Sequence, residues 1–538
     1  MLDLGALALV VLAPFVVLLS FHGYSYFTPE VLLIVASGLA AAAVIALLIG
    51  FTGRFIRVAA LAGLIVLFMD MHVEAPAWSS LAIALTFLGA FAALAGILWL
   101  LREHATKILC VVFITLIVLT LLRANPSSHQ IVTERISTAG SGNAEPPLLI
   151  HLLLDEHIGV AGLPSEIPGT RALRSELIEF YTARGFRLFG RAYSQYANTH
   201  NSLANLLNFT AREVSRPYVE HGTQAEWNLE QAAYFQMLQE HGYRLHVYQS
   251  TFMDFCHADG VQPQQCTTYP AKSLGMIQGL AVPSAQKAGA IVNAIVTQSN
   301  VLRVVNTVYE RKIRAALLRA GVQLPAWLWQ GPLFAPLRVP DVFQQLNADI
   351  VRHPRGHAFF AHLLLPHYPY LFDQRCEMRP SMSDWLINRV GATEPFVYNT
   401  AQSRAQKYER YADQTRCALT LIDALLDDLR SRGLLENATI VINGDHGSRI
   451  PVRYPTSRAL ATGLLTQSDL SDTFSTLYAV HAPGVASGYD EEPRSLVELL
   501  NHHVGGEPLS GPGSCRVFLL VENGGGHMTG VEPKFCAP

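Results

Sequence analysis

Charge is the scarcest resource of this chain. Only 15% of its 538 residues are Asp, Glu, Lys or Arg, against about 25% in an ordinary soluble protein. The shortage is local, because residues 1–123 hold only ten charged side chains. There is no basic excess either. The formal net charge is -3, which argues against a nucleic-acid partner. Internal repeats and low-complexity tracts are absent. No pair among the seven cysteines shows the CxxC spacing of a structural metal site.

Where charge is missing, apolar residues run long. Five runs lie at about 4–21, 31–50, 54–71, 78–101 and 106–123, each near the roughly 20 residues that span a bilayer. Lys and Arg mark the cytoplasmic side. Arg54 and Arg57 flank the second connector, and Arg102 and Lys107 the fourth. Glu30, Asp70 and Glu74 mark the others. This pattern predicts a cytoplasmic N-terminus, five spans and everything after Arg123 outside. A cleaved signal peptide is the rival reading of the first run, which lacks a basic start and a cleavage site. Cysteine placement agrees. Cys110 lies in the fifth run, and the other six lie beyond it on the oxidising side, which suggests disulfides. Six cysteines allow 15 pairings. Proximity favours Cys256 with Cys266 and Cys515 with Cys536, leaving Cys376 with Cys417.

Residues 124–145 are polar and broken by Gly, Ser and Pro, so they read as a linker. From 146 to 538 the pattern is α/β. Buried strands read as "PLLIHLLLD", "RLHVYQS", "HAFFAHLLLPH" and "ATIVINGDHG". Helical stretches fall near 170–184, before Gly242 and over 402–433. Alternation of this kind predicts a mostly parallel sheet with helices on both faces, whose ligands gather at the carboxyl ends of the strands. The segment 250–345 reads as an unassigned insert. Its Trp327 and Trp329 either sit at a membrane interface or pack on the domain.

Polar clusters stand at those strand ends. Asp155 and Glu156 close the first strand, as solvated acids or as ligands for a hard metal. Asp445 and His446 close "TIVINGDHG"; Gly444 and Gly447 offer the backbone freedom of a sharp turn. His362 lies within its strand and His367 just after it. His362 is a satisfied core residue or a site residue, and His367 is a candidate contact for metal or substrate. Thr199, in "SQYANTHNSLANLLNF", precedes a helical run. It is either a helix cap or a nucleophile held where the helix N-terminus favours an anion. Acids, an Asp-His pair and a hydroxyl together make a credible site in which a metal activates the hydroxyl.

These motifs resemble the alkaline phosphatase superfamily, and within it the sulfatase-like membrane transferases: lipoteichoic acid synthases and the phosphoglycerol or phosphoethanolamine transferases. The resemblance is motif-specific around 148–209, 357–372 and 405–449. It implies a five-helix transmembrane domain (1–123), the linker, and an extracytoplasmic catalytic domain (146–538). It implies Asp155, Glu156, Thr199, Asp445 and His446 as metal ligands, with Thr199 also the nucleophile in its "T-x-x-S-L" setting. His367, in "HYPY", matches a histidine that contacts the substrate head group; His362 and Arg449 are further substrate contacts. The cofactor implied is a divalent metal, Mn or Zn, with Mg as the other choice. The activity implied is transfer of phosphoglycerol or phosphoethanolamine from a membrane phospholipid to an extracytoplasmic glycan. The alternative is a membrane-anchored phosphodiesterase or phosphatase using water. The C/S-x-P-x-R motif that matures to formylglycine is missing at "THNSL", so sulfate ester hydrolysis is not expected. The glycine-rich "ENGGGHMTG", with His527, is a loop near the site or a surface turn.

Overall fold

The computed structural model describes residues 2–71, 80–101, 104–122, 130–136, 145–213, 218–222, 225–302, 305, 317, 334–385, 399–509, 515–521 and 528–533. It divides into two compact units. The first comprises 1–130, 272–334 and 380–386, and the second comprises the rest. Trp327, Trp329, His527 and Cys536 lie outside the described residues.

The first unit opens with the helices α1 (Leu2–Phe21), α2 (Pro29–Gly50), α3 (Arg54–Asp70), α4 (Ser80–Leu101) and α5 (His104–Leu122). Four of them, α1, α2, α4 and α5, are long and apolar enough to cross a membrane. The third is shorter, at 17 residues, and carries Arg54, Arg57 and Asp70 at its ends. Large apolar side chains such as Leu47, Phe51 and Leu88 face outward. In water such a surface would be costly; in lipid it is at home.

Part of the insert belongs to this unit, which its sequence did not reveal. Residues 272–302 pack on one end of the bundle. The Ser25 N–H donates to Gln278 Oε1 at 2.9 Å, and the buried Asp70 carboxylate accepts from the Ser299 hydroxyl and the Val301 N–H. Arg57, at the opposite end of the same helices, donates instead to the Ile49 carbonyl.

The second unit is built on a nine-stranded sheet. Its strands are β1 (Val132–Arg135), β2 (Leu149–Leu154), β3 (Arg187–Phe189), β4 (Arg244–Ser250), β5 (Gln265–Tyr269), β6 (His357–Leu363), β7 (Thr439–Gly444), β8 (Tyr478–His481) and β9 (Gly488–Asp490). The order is β1-β5-β4-β6-β2-β7-β8-β3-β9. The five central strands, β5 to β7, are parallel, and β1, β8 and the β3 edge bring in antiparallel pairs. Strand β1 falls inside the stretch expected to be linker and pairs along β5.

The helices of this unit include α6 (Pro168–Ala183), α7 (Thr199–Leu206), α8 (Ala233–Glu240), α9 (Val339–Arg352), α10 (Ala401–Ser431) and α11 (Gln467–Phe474). Leu149 and Leu153 of β2, with Phe360 and Val441 beside them, pack against Leu203 and Leu206 of α7 and Phe235 of α8. Helix α10 starts on a capping box between Thr400 and Ser403 and stops at Gly433, whose φ of +67° suits glycine. The Cys256–Cys266 and Cys376–Cys417 disulfides are formed; Cys515 is disulfide-bonded as well.

One polar group is threaded through the core. His151 on β2 is fully buried, with Nε2 2.6 Å from Asn443 Oδ1 and Nδ1 3.1 Å from the Tyr234 hydroxyl. Burial pushes its pKa from 6.5 down to about 4. The unfolded chain therefore binds this proton first as pH falls. The stability from the neutral ring is complete above about pH 6.5 and is lost progressively down to about pH 4, by about 3 kcal/mol in all. Thermal unfolding of the full chain across this window is expected to show that slope, and His151→Gln to flatten it by close to one proton. An unchanged slope in the variant would assign the proton elsewhere.

Candidate active site

Three neighbouring parallel strands deliver the site. Because β6, β2 and β7 run in the same direction, the residues after their carboxyl ends meet: His367 after β6, Asp155 and Glu156 after β2, Asp445 and His446 after β7. All five are buried. The chain turns at Glu156 in the left-handed region, with φ +59°, which costs a non-glycine residue about 1–2 kcal/mol. The turn aims the Glu156 N–H at Asp445 Oδ1, 2.9 Å away. Gly444 and Gly447 serve differently from expectation. Neither has a positive φ. A Cβ on Gly444 would lie 2.4 Å from Thr476 Oγ1, and one on Gly447 2.3 Å from the Asp472 carbonyl oxygen. They are small because backbone and side chains close in on them.

Thr199 is the first residue of α7, and Asn198 occupies the cap position. The Thr199 hydroxyl lies 3.4 Å from Asp155 Oδ2 and 3.2 Å from His446 Nε2. Two contacts fix this placement. Ser202, one turn along α7, donates to the Asp445 carbonyl at 2.6 Å. The Tyr454 hydroxyl donates to Asn198 Oδ1 at 2.6 Å.

The histidines are oriented by their backbones. His446 Nδ1 lies 2.6 Å from the Gly447 carbonyl, and His367 Nδ1 contacts the Tyr368 carbonyl. A carbonyl only accepts, so each Nδ1 carries a proton and each ring turns its Nε2 toward the site. His446 Nε2 faces Asp445 Oδ2 at 3.1 Å, and His367 Nε2 faces Glu156 Oε1 at 3.4 Å. A ring nitrogen thus faces a carboxylate oxygen twice, the donor types that can share a cation.

The carboxylates point the same way. Asp155 Oδ1, Glu156 Oε1 and Asp445 Oδ2 are buried and accept no hydrogen bond among the described residues. Burial first, and the Asp445 charge second, push the Asp155 carboxyl up to about 7. Two groups have ligand atoms close enough to share an ion: Asp155, Asp445 and His446, and Asp155, Glu156 and His367. Asp155 belongs to both. Carboxylate with imidazole suits Mn²⁺ or Zn²⁺, so the residues present fit a divalent metal.

The remaining expected residues fall into place around this centre. Arg449 Nε lies 3.1 Å from Glu156 Oε1, with its side chain 39% exposed, and so can reach an incoming anion. His362 is fully buried behind Asp155, with Nε2 3.1 Å from Oδ2; it supports the carboxylate from a position a substrate does not reach. An aromatic stack next to Thr199 in the chain left no signal in the sequence. His200 lies on Trp227 at 3.9 Å and 8°, and His221 lies on Trp227 at 3.9 Å and 27°. Two rings at that distance must take opposite faces. No local pattern links these residues, because Trp227 comes from a small separate sheet.

No family model matches the chain, and neither does any curated protein. Among solved structures, it is similar to the C-terminal periplasmic domain of EcEptC from Escherichia coli, at 12% identity and TM-score 0.38, over 74% of this chain and 96% of that one. The same domain in complex with Zn matches over the same shares at 13% identity and TM-score 0.38. The phosphonate monoester hydrolase SpPMH from Silicibacter pomeroyi matches at 14% identity and TM-score 0.36, over 70% of this chain and 80% of that one. With all three scores below 0.5, the chemistry has to be argued from the site itself.

Calorimetric titration of the metal-stripped protein with Mn²⁺ or Zn²⁺ is expected to show binding that Asp155→Asn abolishes. His362→Ala should weaken it by about 10–100-fold. Without metal, Asp155→Asn should unfold at a higher temperature than the wild type, because it removes a buried charge. Unchanged metal affinity in Asp155→Asn would dismiss the site.

Proposed function

We propose that the chain is a membrane-anchored, metal-dependent phosphotransferase of the alkaline phosphatase superfamily, working through Thr199. It would move phosphoglycerol or phosphoethanolamine from a phospholipid to an extracytoplasmic glycan. The observation that carries the reading is the Thr199 hydroxyl, set at a helix N-terminus between Asp155 and His446 amid buried carboxylate oxygens that accept no hydrogen bond among the described residues. A hydroxyl so placed can attack phosphorus while the first N–H groups of α7 receive the phosphoryl oxygens.

Membrane helices on the same chain favour a lipid donor. In this reading residues 1–123 form five spans, with α3 among them, residues 124–145 are the linker, and 146–538 carry the catalytic domain. The bundle end that receives residues 272–302 is the end away from Arg54 and Arg57, and the Lys/Arg rule makes that end extracytoplasmic. The protein is thus a multi-pass protein of the plasma (inner) membrane.

The chemistry runs in two displacements. Thr199 Oγ1 bonds to the phosphorus of the donor as the bond from phosphorus to the diacylglycerol oxygen breaks. The hydroxyl proton leaves to a carboxylate of the site, Asp155 being 3.4 Å away. The diacylglycerol oxygen takes up that proton from the carboxylate. A sugar hydroxyl oxygen then bonds to phosphorus as the bond from phosphorus to Thr199 Oγ1 breaks, and the sugar's proton passes by way of the same carboxylate to Thr199. A divalent cation bound here lowers the pKa of the hydroxyl and balances charge on the phosphoryl oxygens. His367 orients the head group or assists proton transfer, and Arg449 meets the phosphate.

The test is peptide mass spectrometry of metal-loaded protein after incubation with mixed phospholipids. A phosphoglycerol or phosphoethanolamine adduct on the Thr199 peptide is expected. Thr199→Ala should stay folded and lose turnover by at least about 10⁴-fold. An active Thr199→Ala protein would end the assignment. Steady release of head group with no glycan product would turn the reading to the hydrolase.

A further inference from the structure

The geometry points to Gln414 as the positioning residue that sets His367 against Glu156. It rests on the preceding reading only in giving His367 work to do on the substrate.

Gln414 lies inside α10 and is fully buried. A glutamine there must find partners for two N–H and one carbonyl group, and it finds all of them in one loop. Its Nε2 donates to the carbonyls of His367, Pro366 and Pro369 at 2.8, 3.1 and 3.2 Å. Its Oε1 accepts from the Leu371 and Phe372 N–H groups at 2.6 and 3.2 Å. Five backbone groups of seven consecutive residues thus converge on a single side-chain amide. Pro366 and Pro369 have no N–H of their own, and the loop's backbone bonds, from the Leu371 N–H to the Pro369 carbonyl and from the Arg379 N–H to the Leu371 carbonyl, do not reach His367. Gln414 supplies the missing partners, and the carbonyl of His367 itself receives the shortest of its three donations.

The same helix holds the other half of the pair. One turn earlier, the Tyr411 hydroxyl accepts from the Ile158 N–H at 2.7 Å and donates to the Glu156 carbonyl at 3.2 Å. Positions i and i+3 share a helix face. One face of α10 therefore fixes the backbone of Glu156 and the backbone of His367, and with them the 3.4 Å between Glu156 Oε1 and His367 Nε2.

A residue that acts through His367 has no effect once His367 is gone. The experiment compares full-length Gln414→Leu, Gln414→Glu, His367→Ala and Gln414→Leu/His367→Ala in detergent. Gln414→Leu is expected to lower kcat/KM by about 10–100-fold, and the double variant to be no worse than His367→Ala within about twofold. Gln414→Glu keeps the shape and the acceptor for Leu371 and Phe372, guards against a folding failure, and should retain more activity than Gln414→Leu. Losses that multiply in the double variant, or wild-type kcat/KM in Gln414→Leu, would overturn the proposal.

Hydrogen exchange by mass spectrometry needs no turnover. Faster exchange confined to peptides spanning 366–372 is expected in Gln414→Leu, with β6 and α10 unchanged. Wild-type exchange in that loop, or loosening spread along α10, would also overturn it. Should wild-type protein turn over no phospholipid, the transferase reading fails while the exchange result still decides the role of Gln414.

Discussion

Three carboxylates packed at the ends of two adjacent strands, shielded from solvent, are the constraint around which the second unit is organised. Burying one uncompensated charge costs several kcal/mol, and here Asp155, Glu156 and Asp445 share one small volume. Everything near them can be understood as compensation. The Glu156 N–H is bent into the left-handed region to reach Asp445. His362 supports Asp155 from behind. Arg449 and His367 approach Glu156. The compensation stops short of completion, since an oxygen of each acid still accepts no hydrogen bond. A fold gains nothing in stability from that shortfall, which makes it a sign of a site suited to a cation.

Around the acids the support is layered. The Arg404 guanidinium pairs with Asp472 through two contacts, at 2.8 and 3.0 Å. The Asp472 and Thr473 carbonyls in turn accept from the N–H groups of Ser448 and Gly447. Together with Tyr411 and Gln414, this makes α10 the common support of all three site loops, at positions 404, 411 and 414 of one helix. Precision of this kind matters where reacting atoms must be held within fractions of an ångström.

Much of this was legible in the sequence, for physical reasons. Strands buried on both faces must be continuously apolar, so β2, β6 and β7 announced themselves, and a charged residue straight after such a run could only be at a strand end. Gly242 and Gly433 marked helix ends because a positive φ favours glycine. Other features carried no local signal. Nothing in "AGILWLL" or "FIRVAAL" separates a helix that spans from one slightly too short. The strand at Val132–Arg135 is fully exposed and polar in pattern, which is how an edge strand avoids looking like one. Residues 272–302 join the bundle through contacts such as those of Gln278 and Ser299, polar residues whose partners lie more than 200 positions away. Trp227 and Gln414 owe their places to tertiary packing alone.

The assignment of residues 272–302 to the first unit bears on how this protein can be handled. The chain does not run once through a membrane part and then once through a catalytic part. It leaves the first unit after residue 130 and returns to it at 272–334 and again at 380–386. Cutting the gene at the linker would remove α1 to α5 and leave behind the segments that pack on them, with Gln278 and Ser299 deprived of Ser25 and Asp70. The two parts are therefore interleaved at the level of the gene. A soluble version would have to be made by excising three stretches and rejoining the ends, rather than by choosing a start codon further along.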